Sequence, residues 1–314
     1  SQLTNFYLMM SIGGVIGGLF CAIVAPLLFN WTWEHPILIL AAAVLLPKIA
    51  LIPIDESNRK IPYVMMGFGL LAFALGVFGG VRAPETYDIL TAIIVTVVIA
   101  LGLVVAGFRV PFLLAMAGLL TLNGGWYNAQ LSFNDVRMRS YFGTYTINSS
   151  ESGRVRSLTH GTTMHGMQLL DEPTRPISYY APNSGVGKTL VKTPLLFGPN
   201  ANVGIVGLGT GTLACYRKPG QTWQFFEIDP LIVEIARDRK VFSFLERCTP
   251  DAKITIGDAR LTLAEVPKSS FDVLALDAFS SDAIPLHLLT KEAFTTYGRA
   301  LKADGILLVH ISNR

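Results

Sequence analysis

The most informative stretch of this chain is Val203-Gly-Ile-Val-Gly-Leu-Gly-Thr-Gly-Thr-Leu-Ala214. Its apolar start, 203–206, predicts a buried parallel strand, and the glycines that follow predict a sharp turn into a helix from Thr210. Such a turn lets a ligand come close to the free N–H groups of a helix N-terminus. We therefore expect a cofactor to be bound by Gly207, Gly209, Thr210 and Gly211.

Glu227 ends a second apolar run, sixteen residues after Gly211. A carboxylate at this place accepts hydrogen bonds from both hydroxyls of a ribose. The glycine turn and the acid together predict a nucleoside-type cofactor. Thr212-Leu-Ala214 stands where a dinucleotide site would have a further x-x-G, so the pattern favours S-adenosylmethionine or a relative over NAD.

Strand and helix patterns alternate from residue 183 to the end of the chain. Alternation with continuous apolar runs predicts a Rossmann-like parallel sheet covered on both faces. Ligands bind such sheets at the C-terminal ends of the strands. The predicted strands are 203–206, 222–226, 253–256, 271–276 and 305–311, with helices over 186–196 and 230–239.

Acidic residues follow the third and fourth of these strands. Asp258 is placed to accept from the exocyclic amine of adenine, with the Ala259 N–H facing a ring nitrogen; the alternative is that Asp258 caps the next helix. Asp277 is placed to orient and deprotonate an incoming amine. Asp282 either holds a second cationic group or is a loop carboxylate. We assign no chemistry to His287, which we expect in the helix that follows.

The first 126 residues have a different composition. Mean hydropathy over the chain is +0.47, yet residues 1–125 contain only five Lys or Arg and five Asp or Glu, against twenty and seventeen in the rest. This contrast predicts a transmembrane helical domain over 1–126, followed by a small β-domain over 127–182 and a nucleoside-binding domain over 183–314. The net charge of +3 is dispersed in the polar part and does not favour a nucleic-acid partner.

Five hydrophobic segments are predicted in the membrane domain, at 6–29, 36–54, 61–80, 89–108 and 110–122. The second is interrupted by Pro47 and Lys48, and the last is short enough to favour a re-entrant or interfacial helix. Gly13-Gly14 and Gly17-Gly18 are spaced for close approach of another helix. Four full crossings put Arg59, Lys60 and Arg109 on the same side as the polar domain, as the positive-inside rule favours, whereas five put them opposite. No charge lies deep in a strong span, which favours an anchor over a transport pathway.

The β-domain is predicted to have strands over 141–147, 154–159 and 162–169. The cysteines, Cys21, Cys215 and Cys248, have no metal-ligand spacing. We expect them to be buried apolar residues without partners, and we expect no bound metal and no need for an oxidising compartment.

At the glycine turn and at the acidic residues Glu227, Asp258 and Asp277, the chain resembles the spermidine synthase family of aminopropyltransferases. The resemblance runs from about Tyr141 to the end of the chain. Over its whole length it resembles bacterial membrane proteins in which such a domain follows transmembrane helices; Leu3-Thr-Asn-Phe-Tyr7 and Ala25-Pro26 resemble the later part of their membrane region. The resemblance implies further spans before Ser1 and two more sheet strands after Arg314. It also implies a plasma-membrane location, with the polar domain facing the cytoplasm, where adenosyl cofactors are made.

The resemblance assigns ribose binding to Glu227, adenine binding to Asp258 and Ala259, and catalysis to Asp277. It assigns the substrate pocket to Gln168, Tyr180 and Asp282. Three motifs depart from the family pattern. Thr210 replaces the acid of G-G-G-D-G-G, which helps to hold the aminopropyl ammonium; Leu158 to Gln168 replaces L-D-G-x-x-Q; and Asp277 and Asp282 stand further apart than the acids of D-S-S-D.

The leading hypothesis is therefore a membrane-anchored enzyme that moves an aminopropyl group from decarboxylated S-adenosylmethionine to an amine such as putrescine. Thr210 favours a second hypothesis, a methyltransferase that uses ordinary S-adenosylmethionine, because the loss of an acid relieves repulsion against the cofactor carboxylate. A third is a non-catalytic subunit that keeps the fold. The expected partners are a small amine and membrane lipid; a homo-oligomer or a membrane-complex partner stays open.

Overall fold

The computed structural model describes residues 2–46, 60–78, 89–150, 152–161, 163–278 and 285–310. The chain divides into two compact units, Ser1–Met138 and Arg139–Arg314. The finer predicted division, at residues 126 and 182, stays a prediction.

The described part of the first unit contains hydrophobic helices, which are α1 (Gln2–Leu28), α2 (Glu34–Leu45), α3 (Ile61–Phe78), α4 (Ile89–Val104) and α5 (Arg109–Phe133). By length and composition, α1, α3 and α5 are able to cross a membrane. Helices α2 and α4 are shorter in the described residues. Pro47, Lys48 and Arg59, on which the predicted orientation partly depends, lie outside those residues.

The predicted fifth segment, 110–122, was too short: helix α5 does not end at Leu122. It continues for 25 residues, to Phe133. The sequence Asn123-Gly124-Gly125 has the composition of a helix stop, but Gly124 absorbs a local kink with φ of +81°. The Asn123 side chain donates to the Leu119 carbonyl at 2.7 Å, which supplies one of the hydrogen bonds disturbed by the kink.

Small residues let α3 and α5 pack closely. A Cβ atom added at Gly118 would lie 2.8 Å from the Ala72 Cβ, and one added at Gly69 would lie 3.0 Å from Leu114. The predicted glycine face of α1 has no such neighbour in the described residues, because Cβ atoms added at 13, 14, 17 and 18 would meet nothing within 4 Å.

A small sheet follows, with the strands β1 (Arg137–Ser140), β2 (Gly143–Ser149), β3 (Val155–His160) and β4 (Thr163–Leu169) in that order. The pairs β2–β3 and β3–β4 are antiparallel, as predicted. Strand β1 was not predicted, because Arg-Met-Arg-Ser has no apolar alternation, and pairing with β2 makes it a strand.

The second sheet has the predicted Rossmann-like form. Its strands are β5 (Asn202–Val206), β6 (Thr222–Glu227), β7 (Lys253–Ile256), β8 (Phe271–Leu276) and β9 (Leu301–Val309), all parallel and in the order β7-β6-β5-β8-β9. The helices of this unit are α6 (Gly185–Phe197), α7 (Pro230–Arg237), α8 (Phe244–Cys248), α9 (Ala259–Glu265) and α10 (Lys291–Ala300). All six residues of β8 are buried, which fits its apolar sequence.

The helix predicted from Thr210 is wrong. A short 3₁₀ turn, Thr212–Tyr216, follows the glycines instead. Gly211 adopts a left-handed conformation with φ of +83°, and Pro219 and Gly220 lie too close downstream for a longer helix. The expected helix N-terminus, with its dipole, is therefore not available to a ligand here.

The expectation for two of the three cysteines is also wrong. Cys215 and Cys248 form a disulfide that joins the 3₁₀ turn to α8. Both are half-buried and their sequence separation is 33, so their spacing did not indicate that they pair. Cys21 is free.

Candidate active site

A cavity of about 270 Å³ lies at the C-terminal ends of β5, β6 and β8, between the two sheets of the second unit. Small-molecule sites begin at about this size, roughly 300 Å³. The predicted residues that line it are Gly207, Gly209, Glu227, Ala259 and Asp277. The sequence therefore found one wall of the cavity, the one carried by the parallel sheet.

The glycine turn is tightly enclosed by neighbouring backbone. A Cβ atom added at Gly207, whose φ is +94°, would lie 2.2 Å from the Asp277 carbonyl oxygen. One added at Gly209, whose φ is +53°, would lie 2.6 Å from the carbonyl oxygen of His165 on β4. Gly207 therefore permits close approach between the ends of β5 and β8, and Gly209 permits close approach between the two sheets.

Glu227 is buried at the end of β6, with 8% of its surface exposed. Its Oε2 accepts from the Leu208 N–H at 2.9 Å and its Oε1 from the Asp229 N–H at 3.0 Å. Burial raises the pKa of this carboxyl, and the two backbone hydrogen bonds oppose that shift. Each oxygen keeps a further lone pair, so the fixed carboxyl is able to accept from two neighbouring hydroxyls.

Asp277 follows β8 and is held by two side chains. The Tyr180 hydroxyl donates to Oδ2 at 2.6 Å, and His310 Nδ1 lies 2.8 Å from Oδ1. Burial, followed by the charge of Asp277, raises the pKa of Tyr180, so this hydroxyl stays a hydrogen-bond donor. Tyr180 contacts the predicted catalytic carboxyl, and its expected place in the substrate pocket stays a prediction.

Three other predicted residues point away from the cavity lining. Thr210 is fully buried, with Oγ1 2.8 Å from Thr212 Oγ1, and Gly211 faces Leu245 of α8. The Gln168 amide is buried and donates to the Pro173 carbonyl at 2.8 Å and to Ser243 at 3.2 Å. These contacts give all three a structural role, and their predicted ligand contacts stay predictions.

Asp258 caps α9, the alternative that its sequence position left open. Its Oδ1 accepts from the Arg260 N–H at 2.8 Å, and Oδ2 lies 3.3 Å from His287 Nε2. The neighbouring Ala259 lines the cavity, as does His287, to which the sequence assigned no chemistry. Asp282 lies outside the described residues.

Asp229, two residues after Glu227, is the centre of a hydrogen-bonded cluster at the end of β6. It is buried, and its Oδ2 accepts from Ser140 and from Tyr145 at 2.5 and 2.7 Å, while its Oδ1 caps α7. Burial and the bond to Asp229 raise the pKa of Tyr145, which keeps its hydroxyl protonated. This cluster joins the small sheet to the end of β6.

The wall from the small sheet was missed by the sequence analysis. It consists of Phe142, Tyr145, His160 and His165. Burial lowers the pKa of both histidines, to about 4 for His165, so both are neutral at pH 7. A sequence signal that could have identified the two histidines is the repeated His-Gly pair at 160–161 and 165–166. His160 and His165 lie on the adjacent strands β3 and β4.

The residues present fit a nucleoside with a cationic tail. Glu227 offers hydrogen-bond acceptors, and none of the lining residues in the described part of the chain is Lys or Arg. In those same ranges no cluster of three or more His, Cys, Asp or Glu is arranged to hold a metal.

The chain is 30% identical over 122 residues to a polyamine aminopropyltransferase of Vibrio vulnificus, a match that covers 37% of this chain and 40% of that protein. The chain thus spans less than half of the curated relative. No family model matches.

Solved structures of similar fold include a probable spermidine synthase from Corynebacterium glutamicum, 18% identical with a TM-score of 0.48, over 55% of this chain and 62% of that chain. A spermidine synthase in complex with the transition state analogue AdoDATO is 22% identical with a TM-score of 0.40, over 56% and 55%. A TehB-like SAM-dependent methyltransferase from C. glutamicum is 19% identical with a TM-score of 0.26, over 38% and 60%. By sequence likeness over those 122 residues, the chain is similar to a polyamine aminopropyltransferase.

Proposed function

We propose that this chain is a membrane-anchored aminopropyltransferase-like enzyme that transfers an aminopropyl group from decarboxylated S-adenosylmethionine to an amine such as putrescine. The observation that carries the proposal is that Glu227 and Asp277, at the ends of the two strands β6 and β8 that flank β5, line one cavity with Gly207 between them. Glu227 accepts from the ribose hydroxyls, Ala259 borders the adenine, and Asp277 faces the acceptor amine.

The sulfonium cofactor, when bound, supplies an electrophilic aminopropyl carbon and a neutral thioether as leaving group. The task of the protein is then to place the amine and to take its proton. Asp277 receives that proton as the new C–N bond forms and the C–S bond breaks. Tyr180 and His310 fix the Asp277 carboxyl in one orientation, so that less ordering is needed when substrate arrives.

A methyltransferase is the second candidate, and Thr210 favours it. No acid stands at that position of the glycine turn, and Thr210 itself is buried against Thr212. The turn therefore presents no negative charge from this position that would repel the carboxylate of ordinary S-adenosylmethionine.

Product analysis by mass spectrometry separates the candidates. The full chain in detergent is offered decarboxylated and ordinary S-adenosylmethionine with a mixture of amines. Aminopropyl transfer gives methylthioadenosine from the decarboxylated cofactor. Adenosylhomocysteine from the ordinary cofactor would replace the proposal by methyl transfer, and nucleoside binding without turnover would favour a non-catalytic subunit.

We further propose that the helices anchor the protein in a bacterial plasma membrane, with the second unit in the cytoplasm, where the cofactor is made. The disulfide Cys215–Cys248 is the observation against this side, since disulfides persist mainly in oxidising compartments. A maleimide gel-shift in intact and permeabilised cells tests the side. The proposal requires a cysteine introduced at an exposed position of the second unit, in a Cys21→Ser background, to react only after permeabilisation, whether or not Cys215 and Cys248 are paired. Reaction in intact cells would reverse it.

A further inference from the structure

His165 carries a polar atom that the fold leaves unused. Its ring lines the same cavity as Glu227 and Asp277. The Nε2 atom is buried and has no hydrogen-bond partner among the described residues. A buried, unpaired ring nitrogen is costly and uncommon, so a ligand that pairs with it gains binding free energy.

The neighbouring His160 does not offer an equivalent atom. Its ring centroid lies 5.5 Å from that of His165 and 5.0 Å from that of Tyr145. Its Nε2 lies against Gly143, where an added Cβ would be only 1.9 Å away. Of this pair, His165 is the one whose Nε2 is free to pair with a ligand.

The charge of the ring limits what it binds. Burial and, to a smaller extent, the neighbouring His160 lower the pKa of His165 to about 4. A neutral imidazole accepts a hydrogen bond through its unprotonated nitrogen and does not repel a cation. The acidic residues among the described lining are Glu227 and Asp277, which disfavour an anionic ligand.

We infer that His165 Nε2 accepts a hydrogen bond from the acceptor amine and is a specificity-determining residue of this site. The inference rests on the proposed function, because it assigns one side of the cavity to the amine of that reaction. The nucleoside groups are assigned to the parallel sheet, at Gly207, Glu227 and Ala259, whereas His165 lies on β4 of the small sheet, with its carbonyl oxygen against Gly209. The amine thus lies between the small sheet and Asp277.

The test compares two variants of the full chain in detergent. His165→Phe keeps a ring of similar shape without nitrogen, and His165→Gln keeps a polar group near the position of Nε2. We expect His165→Phe to raise KM for putrescine about tenfold or more, with KM for the decarboxylated cofactor changed less than about twofold; one lost hydrogen bond of about 1.4 kcal/mol corresponds to tenfold. His165→Gln should recover most of the loss.

Two results would overturn the inference and leave the proposed function intact. One is an unchanged KM for the amine in a folded His165→Phe protein, and the other is an equal rise in KM for the amine and for the cofactor. If the wild type forms no product, the proposed function fails, and calorimetry decides the inference separately. Putrescine binding in the presence of methylthioadenosine should then weaken about tenfold in His165→Phe. Absence of putrescine binding to the wild type overturns the inference as well.

Discussion

His310 Nδ1 lies 2.8 Å from Oδ1 of Asp277, two residues that are 33 positions apart in the sequence. The parallel register of β8 and β9 brings them together, since the His310 N–H also donates to the Leu276 carbonyl at 2.9 Å. With Tyr180 on Oδ2, both oxygens of the carboxyl are engaged before any substrate is present. Asp277 is therefore a preorganised group, which is what a proton acceptor in amine transfer requires.

The first prediction concerns His310 as a positioning residue. His310→Leu removes the donor to Asp277 and should lower kcat about tenfold or more, with little change in KM for the nucleoside cofactor. His310→Asn keeps an N–H donor near the position of Nδ1 and should stay within a few-fold of the wild type. Equal loss in both variants would indicate a packing role for the ring instead. Steady-state kinetics with each substrate varied in turn makes the comparison.

The second prediction concerns Gly207. Gly207→Ala places a methyl group 2.2 Å from the Asp277 carbonyl oxygen, so the ends of β5 and β8 must move apart. Gly198→Ala is the matched control, because Gly198 has a similar φ of +83° but an added Cβ would meet nothing within 4 Å. We expect the control to lose about 1–3 kcal/mol of stability from backbone strain alone, because Gly198 combines φ of +83° with ψ of 175°. Gly207→Ala should in addition abolish nucleoside binding, measured by calorimetry; unchanged affinity would contradict the proposed packing.

A third prediction follows from the disulfide. Cys215 and Cys248 close a loop of sequence separation 33 and fasten the turn after the glycines to α8. Reduction, or replacement of both cysteines by serine, should lower the free energy of unfolding by about 2–4 kcal/mol. Thermal melts with and without reductant measure the change, and Cys21→Ser serves as the control because Cys21 is free. A melt of the wild type that reductant does not shift would contradict the pairing.

The fourth prediction is a pH dependence of stability. The pKa of His165 is about 4 in the folded protein, below the ordinary value of about 6.5. Between these values the unfolded chain binds more protons, so stability falls as pH falls from about 6.5 to about 4. The loss of stability is about 3 kcal/mol, and His160, whose pKa is also lowered, acts in the same direction. Chemical denaturation at several pH values should show this slope reduced in His165→Gln; identical slopes would contradict a buried neutral ring.

The parallel sheet was predictable because its strands are continuous apolar runs. Strands β7 and β8 have the predicted bounds, Lys253–Ile256 and Phe271–Leu276. The strand-end rule then identified Glu227 and Asp277, since the sheet places both at one edge. Strand β1 depends on pairing with β2 rather than on composition, so its residues did not predict a strand.

The rest of the site depends on long-range contacts. His310 reaches Asp277 through strand register, and His165 reaches the cavity only because β4 packs against the glycine turn at Gly209. Thr210 and Gln168 were predicted from motif position, yet their neighbours bury them in structural hydrogen bonds. A one-dimensional motif specifies which residues are near a turn but not which way each side chain points.

The central claim is that Asp277 accepts the proton of an amine during aminopropyl transfer. The most direct measurement is the rate of methylthioadenosine formation by the full chain and by Asp277→Asn, with nucleoside affinity measured in parallel. The variant keeps the size of the side chain and an acceptor oxygen, so affinity should change little while the rate falls about 100-fold or more. Wild-type formation of methylthioadenosine that persists undiminished in Asp277→Asn would contradict the claim.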